Sequence, residues 1–371
     1  MINGIADSVV SVASQGNRSG IAGPQSFDFT LPDELSAREP AEMRGLARDG
    51  VRLMVSHADY DRVTHTRFRS LPRFLSPGDV LVVNATATMN AALDAVRTTA
   101  RRTDEPVTLH LSTALDDGRW VVELRRQTAE GNKPLLDAHA GEELILPASA
   151  IAVLEAPYAG PRLWIASIAT QGTVLDLANR HGRPIRYDYV PRQWPLDYYQ
   201  TVFARVQGSA EMPSAGRPFT PGLLRELQRI GVQIAPILLH TGVSSLEAHE
   251  PPYPERFAVP AATADAVNVA HATRHRVVAV GTTSLRALES AALPDGTITA
   301  TNGWTDLVIS PERGIFATDA LITGFHAPRA SHLALLSALA GPRTIELAYR
   351  AALRYRYLWH EFGDSHLLLA R

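Results

Sequence analysis

Residues 276–291 constrain the fold more than any other stretch, because they read as a strand, a sharp turn and a helix. The apolar run 277–280 stops at a glycine, and the following helical pattern begins with three hydroxyl residues. The first amides of such a helix have no partner within the helix, so an anion or polar ligand head can accept their hydrogen bonds. We name this candidate ligand site the glycine cradle: Gly281, Thr282, Thr283 and Ser284. The alternative is a βα unit that Thr282 caps and that binds nothing.

Length and composition set the next limits. A chain of 371 residues with 45% hydrophobic content exceeds one ordinary core, so we expect two domains. The 36 basic and 38 acidic side chains give a formal charge of −2, which excludes an overall basic field; a nucleic-acid partner then requires a local patch. The chain has no cysteine, which excludes disulfides, a thiolate nucleophile and cysteine-ligated metal.

The sequence predicts a cytoplasmic protein with no membrane partner. No apolar run has the length needed to cross a bilayer. Residues 1–25 are rich in Ser, Gly and Ala without a sustained period, and we expect them to form a flexible tail.

The order of elements predicts an α/β fold with an insertion. Segments of β character are 107–111, 120–124, 144–146, 151–154 and 163–168. Strands are expected at 79–84, 233–239 and 320–322, and helices at 174–181, 220–231, 261–273, 331–340 and 344–358. Short strands at regular spacing are typical of a small barrel or sandwich, whereas alternating strands and helices favour an α/β domain. We therefore predict a large, barrel-like α/β domain (26–90 and 184–371) with an inserted small antiparallel β-barrel domain (91–183).

Polar groups follow three predicted strands, at the positions where α/β folds bind ligands. One is the glycine cradle. The others carry His240 after the strand 233–239 and His326 after the strand 320–322. Two imidazoles beside a hydroxyl-rich helix start suit proton transfer near neutral pH. The alternative is that each histidine bonds to backbone at its strand end.

Two further sets of side chains have both a binding and a structural interpretation. Arg286 and Glu289, three residues apart on one helix, either bind a ligand carboxylate or ribose hydroxyl or pair with each other. Aromatic residues near several arginines either stack on a base or form an apolar hinge between domains. They are Tyr187, Tyr189, Trp194, Tyr198 and Tyr199.

From about residue 27 to the C-terminus, the chain resembles the S-adenosylmethionine:tRNA ribosyltransferase-isomerases of queuosine biosynthesis. The matching segments are VGTTSLRALESA at 280–291, YQTVFA at 199–204, PGDVLVVN at 77–84, FHAP at 325–328, LSALAG at 336–341 and FGD at 362–364. The resemblance implies a large α/β domain with an inserted β-barrel, as the order of elements also predicts.

The resemblance also implies an activity. Such enzymes transfer the ribosyl part of S-adenosylmethionine to 7-aminomethyl-7-deazaguanine in tRNA, form epoxyqueuosine, and release adenine and methionine. The implied partners are S-adenosylmethionine, as substrate, and tRNA, with no metal or other cofactor.

On this resemblance we expect a base, His326 or His240, to remove a proton beside the sulfonium, with Glu289 as a further catalytic candidate. Arg286 and the glycine cradle are expected to hold the donor. The matching segments supply the remaining expected substrate-binding residues: Asn84, Tyr199, Gln200 and Asp364.

The chain departs from the family pattern where acceptor contacts are expected. The family's Asn-Asn-Thr-Arg reads Asn-Ala-Thr-Ala at 84–87, and a family histidine is Pro218 here. Of the family's His-Ser-Glu, only Glu255 is kept. Three hypotheses therefore stand: the family reaction on tRNA, a paralogue that uses S-adenosylmethionine with a small-molecule acceptor or rearranges it, and a binding scaffold without catalysis.

Overall fold

In the computed structural model of the chain, the described residues are 28–58, 60–99, 102–128, 131–243, 253–328 and 330–370. The predicted tail, residues 1–25, lies outside them. Within these ranges, none of the helices combines the length and apolar character needed to cross a bilayer.

Eighteen strands are assigned in the described ranges. The first nine are β1 (Arg52–His57), β2 (Tyr60–Arg67), β3 (Val80–Asn84), β4 (Thr86–Thr88), β5 (Ala92–Thr99), β6 (Arg102–Ala114), β7 (Trp120–Thr128), β8 (Gly131–Pro134) and β9 (Glu143–Ile145). The others are β10 (Ile151–Ala159), β11 (Leu163–Ala169), β12 (Val206–Ser209), β13 (Gln233–Leu239), β14 (Glu255–Val259), β15 (Val277–Val280), β16 (Thr301–Thr305), β17 (Ala320–Thr323) and β18 (Ser365–Leu369).

The described part of the chain contains six α-helices: α1 (Val174–His181), α2 (Pro221–Arg229), α3 (Ala261–Ala272), α4 (Thr282–Ala291), α5 (His332–Ala340) and α6 (Pro342–Arg354). Their ends follow local chemistry. Thr173 and Asp176 form a capping box at the start of α1, and the Thr220 hydroxyl accepts the Leu223 amide at the start of α2. Gly231, with φ +91°, follows α2. The predictions of α1 and α2 are confirmed.

The large sheet has nine strands in the order β16-β14-β13-β3-β15-β17-β18-β1-β2. The neighbours β13, β3, β15 and β17 are mutually parallel. Every residue of β3 is buried, and alternate side chains enter different apolar clusters: Leu81 and Val83 in one, Val80 and Val82 in the other. The prediction of a central strand covered on both faces is confirmed.

The barrel-like description of this sheet is wrong. Its end strands, β16 and β2, do not pair with each other in the described ranges, so the sheet is open. Strands β1, β2, β14, β16 and β18 were also missing from the predicted order. They are the outer strands of a mixed sheet, and no alternating strand-helix pattern in the sequence indicates them.

The second sheet is antiparallel, in the order β11-β10-β9-β5-β6-β7-β8. β11 pairs with β10 and also with β7, so six of the strands form a ring around one apolar cluster. The five predicted β segments between 107 and 168 overlap β6, β7, β9, β10 and β11.

The second sheet begins and ends next to the first. The Ala92 amide donates to the Arg183 carbonyl at 2.9 Å, and the Arg183 amide donates to the Ala92 carbonyl at 3.0 Å. Nearby, β4 pairs in parallel with β12. The two ends of the segment 92–183 therefore lie side by side.

Candidate functional site

Several loops meet at the carboxyl edge of the parallel strands. In the sheet register, Val280 at the end of β15 lies opposite Ile322 of β17, and Thr323 lies opposite His366 of β18. Because β18 runs antiparallel to β17, the segment that precedes β18 reaches this same edge. The edge therefore gathers the glycine cradle, the turn that contains His326, and residues 360–365.

The strand, the glycine turn and the helix of the glycine cradle form as predicted, but the cap of the helix differs. Gly281 is the N-cap of α4, with φ 90° and ψ 152°, and no side chain caps the helix. The prediction that Thr282 is the cap is wrong, because Thr282 is the first helical residue. A positive φ of this size favours glycine. The amides of residues 282–284 have no acceptor within the helix, since they belong to its first turn.

The cradle hydroxyls differ in what they bind. The Ser284 hydroxyl donates to the Val280 carbonyl at 2.8 Å. The Thr283 hydroxyl is buried without a hydrogen-bond partner in the described ranges. A buried hydroxyl without a partner is costly, so Thr283 is the cradle side chain that a ligand would satisfy best.

A cleft lies next to the cradle, and we call it the edge cleft. Its lining residues are Arg48, Val51, Ser214, Ala215, Arg217, Pro218, Gly324, His360, Glu361, Phe362, Gly363, Asp364 and Ser365. A Cβ placed on Gly281 would lie 3.4 Å from the Ala215 Cβ, so Ala215 connects the cleft to the cradle. The edge cleft and the glycine cradle form one candidate site.

His326 lies at this edge in a rigid environment. Its Nε2 is 2.9 Å from the Thr323 hydroxyl, its amide donates to the Tyr349 hydroxyl, and its carbonyl accepts from Trp359 Nε1. Its ring stacks on that of His332 at 4.3 Å. Burial, followed by the nearby histidines, holds the pKa of His326 well below its usual value. The ring is therefore neutral at pH 7 with one nitrogen lone pair free, although it is a weaker base than an exposed histidine.

His240 lies at a different part of the edge, directly after β13. Its amide donates to the Arg256 carbonyl, and its Nδ1 is buried without a partner in the described ranges. Burial is the main cause that lowers the pKa of His240. Two strands, β3 and β15, separate β13 from β17, which corresponds to three strand spacings or about 14 Å. The two histidines share an edge, but the sheet keeps them apart.

Arg286 and Glu289 do not pair with each other. Arg286 forms an ion pair with Glu255 and donates to the Leu307 carbonyl at 3.2 Å. Glu255 also accepts the Gly242 amide at 3.2 Å, which ties α4 to the turn after His240. Arg286 is thus held by the protein itself, and these contacts favour a positioning role.

The Glu289 side chain contacts residues 313–317 and not Arg286. It is 2% exposed and accepts from Arg313 at 3.0 Å, from the Phe316 amide at 3.0 Å and from the Ala317 amide at 2.9 Å. A carboxylate with three such donors is satisfied. Its contacts favour a structural role over a catalytic one.

Asn84 and Gln200 are engaged with backbone. Asn84 donates to the Leu239 carbonyl at 2.8 Å and accepts the Leu239 amide at 3.2 Å. Gln200 accepts the Thr88 amide at 3.0 Å and donates to the Thr88 carbonyl at 2.8 Å. Both amides join strand ends, so they shape the edge without presenting a free group to it.

Asp364 and Tyr199 lie at or near the edge cleft. Asp364 accepts from the Arg52 amide and side chain and from the Leu358 amide. The Tyr199 hydroxyl is buried without a partner in the described ranges, and burial raises the pKa of Tyr199 to about 12. Its ring lies 5.3 Å from that of Phe362.

The aromatic residues at 187–199 mainly pack together. Trp194 and Tyr199 are buried in a small cluster with Phe362 whose members all lie outside residues 91–183. Of the five aromatic residues, only Tyr187 packs against the apolar cluster of that segment. Tyr189 differs, because its ring stacks on Tyr187 at 5.6 Å and on His360 at 4.2 Å. His360 lines the edge cleft.

Sequence reasoning missed Glu361, which lies next to a matching segment. The carboxyl lines the edge cleft and accepts a hydrogen bond from the Tyr189 hydroxyl. Its position directly before FGD at 362–364 was a usable signal. Its partner Tyr189, however, is distant in sequence.

Comparison with known proteins assigns the chain to a family. The family model described as "Queuosine biosynthesis protein" matches residues 24–368. The chain belongs to this family.

Curated relatives in the queuosine biosynthesis family match along almost their whole length. The chain is similar to the S-adenosylmethionine:tRNA ribosyltransferase-isomerase of Moorella thermoacetica, with 39% identity over 93% of this chain and 99% of that relative. The enzyme of the same name from Symbiobacterium thermophilum is 37% identical over 92% and 98%.

A solved structure of S-adenosylmethionine tRNA ribosyltransferase from Thermotoga maritima is 32% identical. It has a TM-score of 0.52 and covers 92% of this chain and 99% of that one. The mixed α/β fold with several sheets is thus shared with this family member.

Proposed function

We propose that the chain is an S-adenosylmethionine:tRNA ribosyltransferase-isomerase. It transfers and rearranges the ribosyl part of S-adenosylmethionine onto 7-aminomethyl-7-deazaguanine in tRNA, and it releases adenine and methionine. The observation that carries the proposal is the match to relatives of that name, 39% and 37% identical over 99% and 98% of their lengths.

The donor binds across the glycine cradle and the edge cleft. The free amides at the start of α4 suit the methionyl carboxylate or the ribose hydroxyls. The Thr283 hydroxyl, buried and without a partner in the described ranges, gains a hydrogen bond when a ligand enters. Arg286, Asn84, Gln200 and Asp364 support this site by holding the segments around it.

His326 is the proposed base. In the tautomer whose Nε2–H donates to Thr323, Nδ1 carries the lone pair. It takes a proton from the carbon beside the sulfonium, where the positive sulfur makes hydrogens acidic. Opening of the sugar then expels adenine, and the acceptor amine attacks the remaining carbon skeleton and loses a proton. The carbon–sulfur bond breaks as the epoxide closes, and methionine leaves with the electron pair on sulfur. The stack on His332 and the backbone contacts fix the imidazole, which lowers the entropic cost of this step.

The acceptor in this proposal is tRNA. The departures at 84–87 and at Pro218 leave a small-molecule acceptor open, but the relatives from Moorella thermoacetica and Symbiobacterium thermophilum are named as enzymes that act on tRNA and lend that alternative no support. Pro218 lines the edge cleft beside the buried Arg217, whose guanidinium binds Glu42. The replacement therefore alters one wall of the cleft.

We also propose that residues 91–183 form a separate β-barrel domain inserted into the α/β domain (26–90 and 184–371), and that the protein acts in the cytoplasm. The ring of six strands supports the first part. The paired entry and exit at Ala92 and Arg183 support it as well.

Adenine release tests the function. Purified protein is incubated with S-adenosylmethionine alone, with tRNA bearing 7-aminomethyl-7-deazaguanine, and with the same tRNA bearing guanine. We expect free adenine and methionine only with the modified tRNA, together with epoxyqueuosine in the digested tRNA. The variant His326→Ala should lower kcat by about 100-fold or more while the folded protein still binds the donor. Adenine release without tRNA would contradict the assigned acceptor, and unchanged turnover of the variant would contradict the assigned base.

A further inference from the structure

The edge cleft contains a carboxyl group that forms no ion pair in the described ranges. Glu361 lines the cleft and accepts a hydrogen bond from Tyr189, but no cation in the described ranges forms an ion pair with it. The two arginines that line the same cleft bind another carboxylate. Arg48 and Arg217 each lie 2.8 Å from Glu42, which they share, and neither forms an ion pair with Glu361 in the described ranges.

Of the described titratable side chains that contact Glu361, none is an arginine or a lysine, although Arg44 donates to the neighbouring Phe362 carbonyl at 2.9 Å. Tyr189 donates its hydroxyl to Glu361 Oε2, and His360 stacks on the Tyr189 ring. Burial lowers the pKa of His360 to about 4, so this ring is neutral at pH 7. Asp364, which also lines the edge cleft, forms an ion pair with Arg52. Burial raises the pKa of Glu361 to about 7, because the charged form has lost water without gaining a cation.

We propose, building on the function proposed above, that Glu361 receives the positive charge of the S-adenosylmethionine sulfonium in the edge cleft. Tyr189 binds Oε2, which leaves Oε1 as the oxygen available to the ligand. The stacked rings of Tyr189 and His360 add an aromatic surface that also attracts a cation.

The neighbourhood of Glu361 matches the two charges of the donor. Ala215 lines the edge cleft and lies next to Gly281, where an added Cβ would be 3.4 Å from the Ala215 Cβ. The amides of the glycine cradle therefore lie beside the cleft. The amides favour an anion and Glu361 favours a cation. S-adenosylmethionine carries both a carboxylate and a sulfonium, whereas its product after methyl loss, S-adenosylhomocysteine, keeps the carboxylate and ammonium but has a neutral thioether.

Binding of a sulfonium beside Glu361 is coupled to a proton. The free carboxyl is partly protonated near pH 7, and the bound cation favours its ionised form. Donor binding therefore releases a proton from Glu361 to solvent. The affinity for S-adenosylmethionine rises as pH rises through about 7 and levels off above it.

Calorimetric titration of the full chain with S-adenosylmethionine and with S-adenosylhomocysteine tests this role. The variants are Glu361→Gln, Tyr189→Phe and, as a matched control on the exposed face of α2, Glu226→Gln. We expect Glu361→Gln to weaken S-adenosylmethionine binding by about tenfold or more and to leave S-adenosylhomocysteine binding within about twofold. Tyr189→Phe keeps the carboxylate and should weaken only the sulfonium ligand, by a smaller factor.

The pH dependence provides a second readout. In wild type, titration in buffers of different ionisation enthalpy should show proton release at pH 7 with S-adenosylmethionine. This release should be absent in Glu361→Gln and unchanged in Glu226→Gln.

The outcomes separate this inference from the proposed function. If Glu361→Gln weakens the binding of S-adenosylmethionine and S-adenosylhomocysteine equally, Glu361 binds the ammonium group and the inference is overturned. The inference is also overturned if Glu361→Gln still prefers S-adenosylmethionine as wild type does and still releases a proton on binding it. If those results accompany normal adenine release by wild type, the proposed function stands. If wild type neither binds S-adenosylmethionine nor releases adenine, both fail.

Discussion

Replacement of Glu289 by glutamine distinguishes a structural carboxylate from a catalytic one. Glu289 is almost fully buried, and its two oxygens accept from one guanidinium and two backbone amides. The glutamine side chain has nearly the same shape but only one acceptor oxygen. Its NH₂ group must therefore face at least one of these three donors.

The expected loss of stability follows from these contacts. A lost hydrogen bond to a charged group costs about 1.5–3 kcal/mol, and a buried amide left without an acceptor costs about 1–3 kcal/mol. Arg313 keeps some exposure, so water recovers part of its loss. We expect a total of about 3 kcal/mol, which lowers the thermal midpoint of a chain of this size by roughly 4 °C.

Calorimetry and adenine release at a temperature well below the transition measure the two effects separately. Glu289→Gln should show the lower midpoint and a kcat within about twofold of wild type. The exposed-site control Glu226→Gln should change neither quantity. An unchanged thermal midpoint with a kcat reduced by about 100-fold would refute the structural role and indicate that Glu289 is a catalytic residue.

Three further outcomes follow from the same site. Gly281→Ala places a side chain at φ 90° and ψ 152°, a region that glycine almost alone adopts, at a cost of about 1–3 kcal/mol. The variant should weaken donor binding measured by titration, and unchanged affinity would show that the cradle does not hold the donor. Arg286→Ala and Glu255→Ala should give a coupling energy of about 1–3 kcal/mol in a double-mutant cycle of stability, and a coupling near zero would contradict their ion pair. Burial lowers the pKa of His366 to about 3 from 6.5. Between these two pH values the unfolded state binds more protons than the folded state does. The free energy of unfolding should therefore fall as pH drops from about 6.5 toward 3, by up to about 1.4 kcal/mol per pH unit. His366→Gln should flatten this slope, and an equally steep slope would place the effect on other groups.

Helices were predictable from the sequence where their capping residues lie next to them in the chain. α1 and α2 carry their caps in sequence, with Thr173 and Thr220 before them, and both were located correctly. β18 was missed because it consists of a serine, a histidine and three leucines, and leucine has no preference for strands. β2 is polar throughout most of its length, because it lies at the edge of the sheet.

The site was predictable at the level of one turn but not at the level of pairs. The glycine cradle follows from the sequence because its geometry depends on neighbouring residues. The spacing of Arg286 and Glu289 suggested a mutual pair, yet their partners come from residues 255 and 313. The edge cleft brings together residues near 48, 215 and 361. Only the sheet topology sets such long-range contacts, and no local pattern encodes them.

The reciprocal backbone hydrogen bonds between Ala92 and Arg183 have an evolutionary and practical consequence. A segment whose two ends already touch can be exchanged for another, or replaced by a short linker, at little entropic cost to the host fold. If the proposed function holds, chimeras that exchange residues 92–183 between relatives would show whether this segment or the rest of the chain sets the choice of transfer RNA.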